Sequence, residues 1–259
     1  MILNKKNWTF AAILFFITIL TSCDYDAYMT QQEENGAYVE GTVLMGWENP
    51  KGTIRIPKDV TDINRGVFYN CKDITKVIIP SSVESIGIEA FYGCENLKTV
   101  EIEDEGLLLI GEGAFRNCSN LVNITLPNSV TTISEDAFVN CSSLTKVIIP
   151  DSVVTIGWSA YYGCSQLRTL TIGNGITWFN GSVFANCTAL TSVTIPDTVQ
   201  SIPKNIFSNC KNLNLITVTG TWRCESEGGY VYWSNRRLTV DDFKKPDSGW
   251  GGVITFYRE

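Results

Sequence analysis

The chain has 259 residues, 44% of them hydrophobic, and a formal net charge of −7 at pH 7. That length is sufficient for one substantial core or for an elongated repeat array, and the negative charge argues against a basic surface that binds nucleic acid. The chain contains no histidine, which excludes the commonest general base, the imidazole metal ligand and every Ser-His-Asp or Cys-His arrangement.

The N-terminus resembles a bacterial lipoprotein signal. Lys5 and Lys6 form a basic region, and residues 10–20 form an apolar run that is shorter than the roughly 20 residues needed to span a bilayer. The segment LTSC at residues 20–23 resembles a lipobox. The resemblance implies that residues 1–22 are a signal peptide and that Cys23 carries a lipid. An ordinary signal peptide followed by a chance cysteine is the alternative.

The next segment, residues 23–36, is polar, acidic and without periodicity. This composition predicts a flexible tether between a membrane and the folded body. Asp24 and Asp26 resemble the surface-export signal of Bacteroidetes lipoproteins. We therefore expect a lipid anchor in the outer membrane with the protein on the cell surface, while a periplasmic orientation stays open.

Seven cysteines recur at a nearly fixed interval. They are Cys71, Cys94, Cys118, Cys141, Cys164, Cys187 and Cys210, spaced 23 or 24 residues apart. A fixed period in this range indicates a solenoid. Aligned on the cysteine, the units approximate C-x-x-L-x-x-V-x-I-P-x-x-V-x-x-I-x-x-x-A-F-x-x-C, and the single longer interval contains the segment EIEDEG at residues 101–106.

The pattern within one unit predicts a strand followed by a turn. In the unit that starts at Cys141, Val147 and Ile149 alternate with outward positions, which is the period of a short strand with one face inward. Pro150 has no N–H and ends the strand pairing, and Val153 and Ile156 then point back to the core from the turn. One unit cannot bury these residues alone, so neighbours stack in parallel at roughly 4.8 Å.

Over residues 52–218 the repeat closely resembles the BspA-like (Treponema-type) leucine-rich repeat, L-x-x-L-x-L-P-x-x-L-x-x-I-x-x-x-A-F-x-x-C. The resemblance implies an α/β-type but β-dominated solenoid, a right-handed array of about seven 23-residue units with a parallel sheet on its concave side. Members of this family are mostly surface or secreted proteins that bind other proteins, often in adhesion. A non-catalytic role without a cofactor is therefore expected.

The repeated cysteines are interpreted as part of the core. They form none of the C-x-x-C clusters of a zinc site, and seven equivalent positions without histidine do not suit a nucleophile. Disulfides between stacked units fall within bridging distance, but equivalent side chains point the same way. A buried thiol with a weak S–H donor fits best. A bridge between Cys210 and Cys224 stays open.

The outward strand positions form the widest regular surface of a solenoid and are the predicted ligand-binding face. They are Thr53, Arg55, Lys76, Ile78, Thr99, Glu101, Asn123, Thr125, Lys146, Ile148, Thr169, Thr171, Ser192, Thr194, Leu215 and Thr217. Threonine on an exposed strand is also what β-propensity alone produces. A merely solvated sheet is therefore the alternative interpretation.

Three tryptophans are the aromatic candidates for ligand contact. Trp158 and Trp178 occupy variable repeat positions that are otherwise polar, and Trp233 lies in the C-terminal segment. Exposed aromatic residues often mark protein or sugar contacts, but they also pack beneath neighbouring turns. The acidic segment at residues 101–106 has oxygen ligands suited to calcium, yet a solvated loop is the simpler interpretation, and no metal site is predicted.

Both ends of the array need caps. The domain boundaries are predicted at residues 37–218 for the solenoid with its N-terminal cap, where Trp47 is a lid, and at 219–259 for a β-rich C-terminal cap or small module. The C-terminal segment contains strand-like pieces at residues 229–233 and 252–257 and a helical turn at 240–245.

The leading functional hypothesis is a surface lipoprotein that binds a protein ligand, in adhesion to host or neighbouring cells. The alternative is a carbohydrate-contacting accessory protein that uses the C-terminal aromatic residues. An enzyme is disfavoured, because no opposed carboxylate pair stands out and a hydrolytic triad would lack its base. A purely structural envelope component would bind no soluble partner.

Overall fold

The computed structural model describes residues 36–103, 105–226, 231–244 and 254–258. These residues form a β-solenoid of about 8 turns with parallel sheets and almost no helix, so the predicted β-dominated repeat fold is confirmed. The predicted signal peptide, Cys23 and the tether up to residue 35 lie outside the described ranges. Within those ranges, no helix has the length and apolar character required to cross a membrane.

Most coils contribute two strands. In chain order the strands are β1 (Ala37–Glu40), β2 (Val43–Trp47), β3 (Gly52–Arg55), β4 (Asp62–Ile63), β5 (Ile74–Ile79), β6 (Ser85–Ile86), β7 (Thr99–Ile102), β8 (Leu109–Ile110), β9 (Asn123–Ile124), β10 (Thr132–Ile133), β11 (Lys146–Ile149), β12 (Thr155–Ile156), β13 (Thr169–Ile172), β14 (Ser192–Thr194), β15 (Ser201–Pro203), β16 (Leu215–Thr217), β17 (Trp222–Ser226), β18 (Val231–Arg236) and β19 (Ile254–Arg258). A 3-10 turn covers Lys204–Phe207, and a short helix, α1, covers Val240–Lys244.

The first strand row consists of β3, β5, β7, β9, β11, β13, β14 and β16. It forms a four-stranded sheet from β3 to β9, followed by the pairs β11–β13 and β14–β16. All of these pairings are parallel, and Val77 is the register partner of Val100 as Val147 is of Leu170. Equivalent repeat positions therefore lie side by side along the solenoid.

The second strand row consists of β2, β4, β6, β8, β10, β12 and β15. The first six pair in parallel in one sheet, which the antiparallel strand β1 closes at the N-terminal end. The sequence pattern places Ile156 after a turn, whereas the structure places it in the two-residue strand β12. Two residues are too few to produce a period-two pattern, which explains why the sequence does not reveal this row.

The P-x-x-V segment of the repeat makes the turn between the two rows. The N–H of Val153 donates to the carbonyl of Pro150 at 3.2 Å, and Val83 bonds to Pro80 in the same way at 3.1 Å. This is the hydrogen bond of a four-residue β-turn, in which the proline is the first residue and accepts the bond through its carbonyl. The turn redirects the chain while the valine side chain stays buried.

A ladder of stacked rings fills the core. Its members are Phe68, Phe91, Phe115, Phe138, Tyr161, Phe184 and Phe207, with neighbouring ring centroids 4.9–5.9 Å apart. Parallel stacking of coils imposes this arrangement, because each ring repeats at the same position one coil further. Each such aromatic contact is worth about 0.5–1.5 kcal/mol beyond the area it buries.

Aromatic side chains also close both ends of the ladder. Trp47 is 5% exposed and lies 5.7 Å from Phe68 between ring centroids. At the other end, Phe243 of α1 meets Phe207 edge to face, and Phe256 of β19 follows it. The C-terminal strands continue the solenoid directly, since β19 pairs antiparallel with β15.

Candidate functional site

The outward residues of the first row form two columns, which together we call the first-row face. One column is Thr53, Lys76, Thr99, Asn123, Lys146, Thr169, Ser192 and Leu215; the other is Arg55, Ile78, Glu101, Thr125, Ile148, Thr171, Thr194 and Thr217. All sixteen are exposed or half-buried, and the residues between the columns are buried apart from the half-buried Ile124. The sheet register aligns Lys146 with Thr169 and Ile148 with Thr171.

Cations outnumber carboxylates on this face. Lys76 Nζ lies 2.6 Å from Glu101 Oε1, an exposed pair whose stabilising contribution is about 0–1 kcal/mol. Among the described residues, Arg55 and Lys146 have no ion-pair partner. The face is therefore locally positive on a chain of net charge −7, which favours a partner surface with exposed carboxylates.

Two large apolar side chains are exposed on the same face. Ile148 is 44% exposed beside Lys146, and Leu215 is 55% exposed at the C-terminal end of the row. Ile78 is half-buried. Exposed apolar residues within a polar and charged surround have the composition of a protein-binding surface, whose buried centre is apolar and whose rim is polar.

The aromatic candidates do not lie on the first-row face. Trp178 makes a parallel bridge with Ser201 in the second row and is 47% exposed. Trp158 is 48% exposed, and its ring lies against Gly181, where an added Cβ atom would overlap with it. The side chain of Trp233 lies outside the described residues.

The structure shows a set of exposed apolar side chains, of which the sequence predicted only the two tryptophans. Of the ten exposed large hydrophobic side chains among the described residues, five lie in the second row or within two residues of its strands: Ile88, Leu108, Leu109, Val154 and Trp158. A sixth, Trp178, makes the isolated bridge to β15 of that row. The two tryptophans were visible in the sequence as departures from a polar repeat position. The aliphatic members were not, because the row itself was not predicted.

The seven repeated cysteines are buried thiols. From Cys94 onward, each thiol donates a hydrogen bond to the carbonyl of a core aromatic residue one coil earlier, with distances of 3.0–3.5 Å. Cys210 bonds in this way to Phe184 and forms no bridge with Cys224. The cysteines therefore connect successive coils.

Burial makes three of these thiols, Cys118, Cys141 and Cys164, unreactive. Burial raises the pKa of Cys164 to about 12 and places the pKa values of Cys118 and Cys141 well above their usual range. The nucleophile and metal ligand is the thiolate, which these side chains do not supply near neutral pH. Among the described residues no group of three or more Cys, Asp or Glu side chains is arranged to hold a metal ion.

The coil geometry, the parallel strand rows and the P-x-x-V turn define a leucine-rich repeat solenoid. A family model described as "BspA type Leucine rich repeat region" matches six copies of the repeat over residues 50–144 and 103–214. Since these matches cover more than half of the chain, the protein belongs to the BspA-type leucine-rich repeat family. None of the curated proteins compared with the chain matches it.

Solved structures show the same fold. A leucine-rich repeat protein from Bacteroides ovatus is 28% identical with a TM-score of 0.62, over 74% of this chain and 51% of that one. A T. pallidum leucine-rich repeat protein is 26% identical, with a TM-score of 0.63, over 71% and 91%. A leucine-rich cell surface protein from Faecalibacterium prausnitzii is 30% identical, with a TM-score of 0.64, over 77% and 61%. The chain thus spans about half the length of the Bacteroides ovatus protein.

Membership of this family indicates a general class of function. The repeat fold suggests a protein-binding surface protein, and leucine-rich repeat proteins of this kind are typically non-catalytic. The identity of a ligand is a property of surface residues and does not follow from the fold.

Proposed function

We propose that this protein is a non-catalytic, lipid-anchored surface protein that binds a protein ligand through the first-row face, in adhesion to host or neighbouring cells. The observation that carries the proposal is the composition of that face. It is the most regular exposed surface of the described residues, and it places Ile148 and Leu215 among polar side chains together with the unpaired cations Arg55 and Lys146.

The proposed partner has an acidic and partly apolar binding surface. Its carboxylates would meet Arg55 and Lys146, and its apolar side chains would cover Ile148 and Leu215. The backbone of the first row is fixed by inter-coil pairing, so little ordering is required on binding, which favours affinity. Salt would slow association with an acidic partner, because Arg55 and Lys146 are exposed and salt screens their attraction.

The test is affinity capture from host matrix proteins and neighbouring-cell extracts with a matched pair of double variants. One variant is Lys146→Ser with Ile148→Ser on the first-row face. The control is Lys58→Ser with Val154→Ser, which also removes one exposed cation and one exposed apolar side chain but lies off that face. We expect the control to retain a partner that the first variant loses, with at least a tenfold weaker Kd.

The other outcomes contradict specific parts of the proposal. A partner that both variants bind equally would move the site to Trp158 and Trp178 or to residues 219–259. If no protein is captured by the unmodified chain, the protein-binding role is wrong.

The lipid anchor has its own test, Cys23→Ala. In a Bacteroidetes host we expect the unmodified protein to incorporate labelled fatty acid and to fractionate with the outer membrane, and the variant to do neither. Digestion by external protease on intact cells would support surface exposure, whereas digestion only after permeabilisation would support a periplasmic orientation. Equal labelling of the variant would show that Cys23 is not the acceptor.

A further inference from the structure

A polar hollow of about 620 Å³ lies beside the repeated turns around the cysteines, away from both strand rows. Its lining includes the paired rings of Tyr69 and Tyr92, whose centroids are 4.7 Å apart with an interplanar angle of 7°. Asn117 and Ser119 form the side toward the next coil. The volume falls in the range of roughly 300–1,000 Å³ that small-molecule sites occupy.

The backbone around the hollow is held by hydrogen bonds between coils. The N–H of Asn70 donates to the carbonyl of Tyr92, that of Gly93 to Arg116 and that of Asn117 to Val139, at 2.6–2.8 Å. These bonds repeat the solenoid's own register, so the side chains project from a rigid base. Such a site requires little rearrangement when a ligand binds.

A glycine interrupts a repeated row of asparagine side chains in the lining of the hollow. The residue before each repeated cysteine has a positive φ, and across the seven coils these residues are Asn70, Gly93, Asn117, Asn140, Gly163, Asn186 and Asn209. Asparagine and glycine both tolerate this conformation. Gly93 stands between Asn70 and Asn117 in this row, and Asn70 Oδ1 occupies the space that a Cβ atom at Gly93 would take.

Several hydrogen-bonding groups at the hollow have no partner among the described residues. They are the side-chain amide of Asn70, the hydroxyl of Tyr92, the side-chain nitrogen of Asn117 and the hydroxyl of Ser119. Asn117 Oδ1 does accept a bond from Asn140 Nδ2 at 3.0 Å, which fixes the direction of the unused amide nitrogen. These groups offer both hydrogen-bond donors and acceptors beside the stacked rings of Tyr69 and Tyr92.

The charged side chains at the hollow disfavour an ionic ligand. Glu95 is the charged side chain in the lining, and Lys72 Nζ lies 2.9 Å from its Oε1. A phosphate or other anion would meet an already paired carboxylate, and a cation would have to displace Lys72. A purely apolar ligand would leave the amides and hydroxyls without partners.

We propose that this hollow binds a neutral carbohydrate, a short oligosaccharide or the end of a glycan chain. Sugar hydroxyls match the amide and hydroxyl groups, and the apolar C–H surface of the sugar ring suits contact with the Tyr92 side chain. The site is separate from the first-row face, so a protein ligand and a glycan have independent positions on the molecule.

The experiment probes a glycan array containing neutral, sialylated and uronic-acid oligosaccharides with the purified protein, followed by calorimetric titration of the bound neutral glycan. Two variants alter the hollow. Tyr92→Ser removes the aromatic ring, and serine is the native residue at the same repeat position of a later coil, Ser208. Gly93→Asn restores the repeated asparagine and displaces the Asn70 side chain from its place in the lining. Tyr162→Ser is the matched control, since Tyr162 has the same repeat position outside the lining.

We expect binding to neutral glycans that weakens at least tenfold in Tyr92→Ser and Gly93→Asn and stays unchanged in Tyr162→Ser. Thermal unfolding of each variant identifies any loss that is due to unfolding, and Gly93→Asn introduces a residue that the repeat already accepts. Absence of neutral-glycan binding, a preference for acidic glycans, or equal binding by all variants would each overturn the proposal. Retention of glycan binding by the Lys146→Ser, Ile148→Ser variant separates this site from the proposed protein-binding face.

Discussion

At the scale of single residues, the repeated cysteine is the most informative position in the chain. Its thiol hydrogen bonds reach the coil before it, and its burial is complete at most positions. A serine hydroxyl would be harder to bury, and an alanine would leave the carbonyl acceptor without a donor. Cysteine therefore combines small size, apolar character and a weak donor at a place where all three are used.

Buried thiols make the stability sensitive to alkaline pH. Because burial raises the folded-state pKa of Cys164 from 9.0 to about 12, the unfolded chain loses this proton first as pH rises. The stabilising contribution is thus present below about pH 9 and is lost as pH rises toward about 12, at about 1.4 kcal/mol per pH unit for each such thiol. Urea unfolding at pH 7 and pH 10.5 should show a clear decrease in the free energy of unfolding.

The matched variant for this prediction is Cys164→Ala. It should be less stable at pH 7, but its further loss between the two pH values should be smaller than that of the unmodified protein. Equal stability of the unmodified protein at both pH values would contradict the assigned burial.

At the scale of structural elements, the aromatic ladder and the two strand rows depend on each other. Strand pairing sets the spacing between coils at roughly 4.8 Å, and the ring centroids follow it at 4.9–5.9 Å. A ring removed from the middle of the ladder leaves both neighbours without a stacking partner. The loss of stability is therefore larger than for an exposed residue of similar size.

We therefore expect Phe138→Ala to destabilise the protein strongly. Phe138 is fully buried and stacks on Phe115 at 5.3 Å and on Tyr161 at 4.9 Å, and such a truncation costs about 3–5 kcal/mol. A decrease in Tm on the order of 10 °C is expected in differential scanning calorimetry. Val154→Ala, at a 53% exposed position, should shift Tm by no more than about 2 °C. Similar shifts for both variants would show that the ladder is not the stabilising core.

At the scale of the whole molecule, a solenoid is stable only if its terminal cores are covered. Trp47 covers one end of the ladder, and Phe243 with Phe256 covers the other. Strand β19 also pairs with β15, and Trp222 is fully buried beneath Arg258. These contacts describe a C-terminal segment that is packed on the array rather than one that is merely attached to it.

Truncation after Val218 tests this relation. Without residues 219–259, Phe207 and Ile202 would become exposed, and we expect a lower Tm and concentration-dependent aggregation by light scattering. The comparison is the full chain at the same concentration. An unchanged Tm of the remaining solenoid would instead identify residues 219–259 as an independent module.

The sequence by itself determined the period, the parallel stacking and the identity of the core. Seven cysteines with apolar residues at fixed offsets leave few other structures, because a repeat of this length buries its apolar face only against its own copies. The alternation at Val147 and Ile149 also predicted which side chains of the first row point outward, and the structure places them there. Local chemistry and repetition are sufficient for these properties.

Only the tertiary structure decided what surrounds the exposed residues. The second strand row, the ion pair of Lys76 with Glu101 and the position of the Asn70 side chain over Gly93 all depend on contacts between coils. Side chains in turns follow neither a period of two nor one of 3.6, so their directions are set by the neighbouring coil. The sequence therefore predicts a scaffold, and the packing of one coil on the next determines the surfaces that bind.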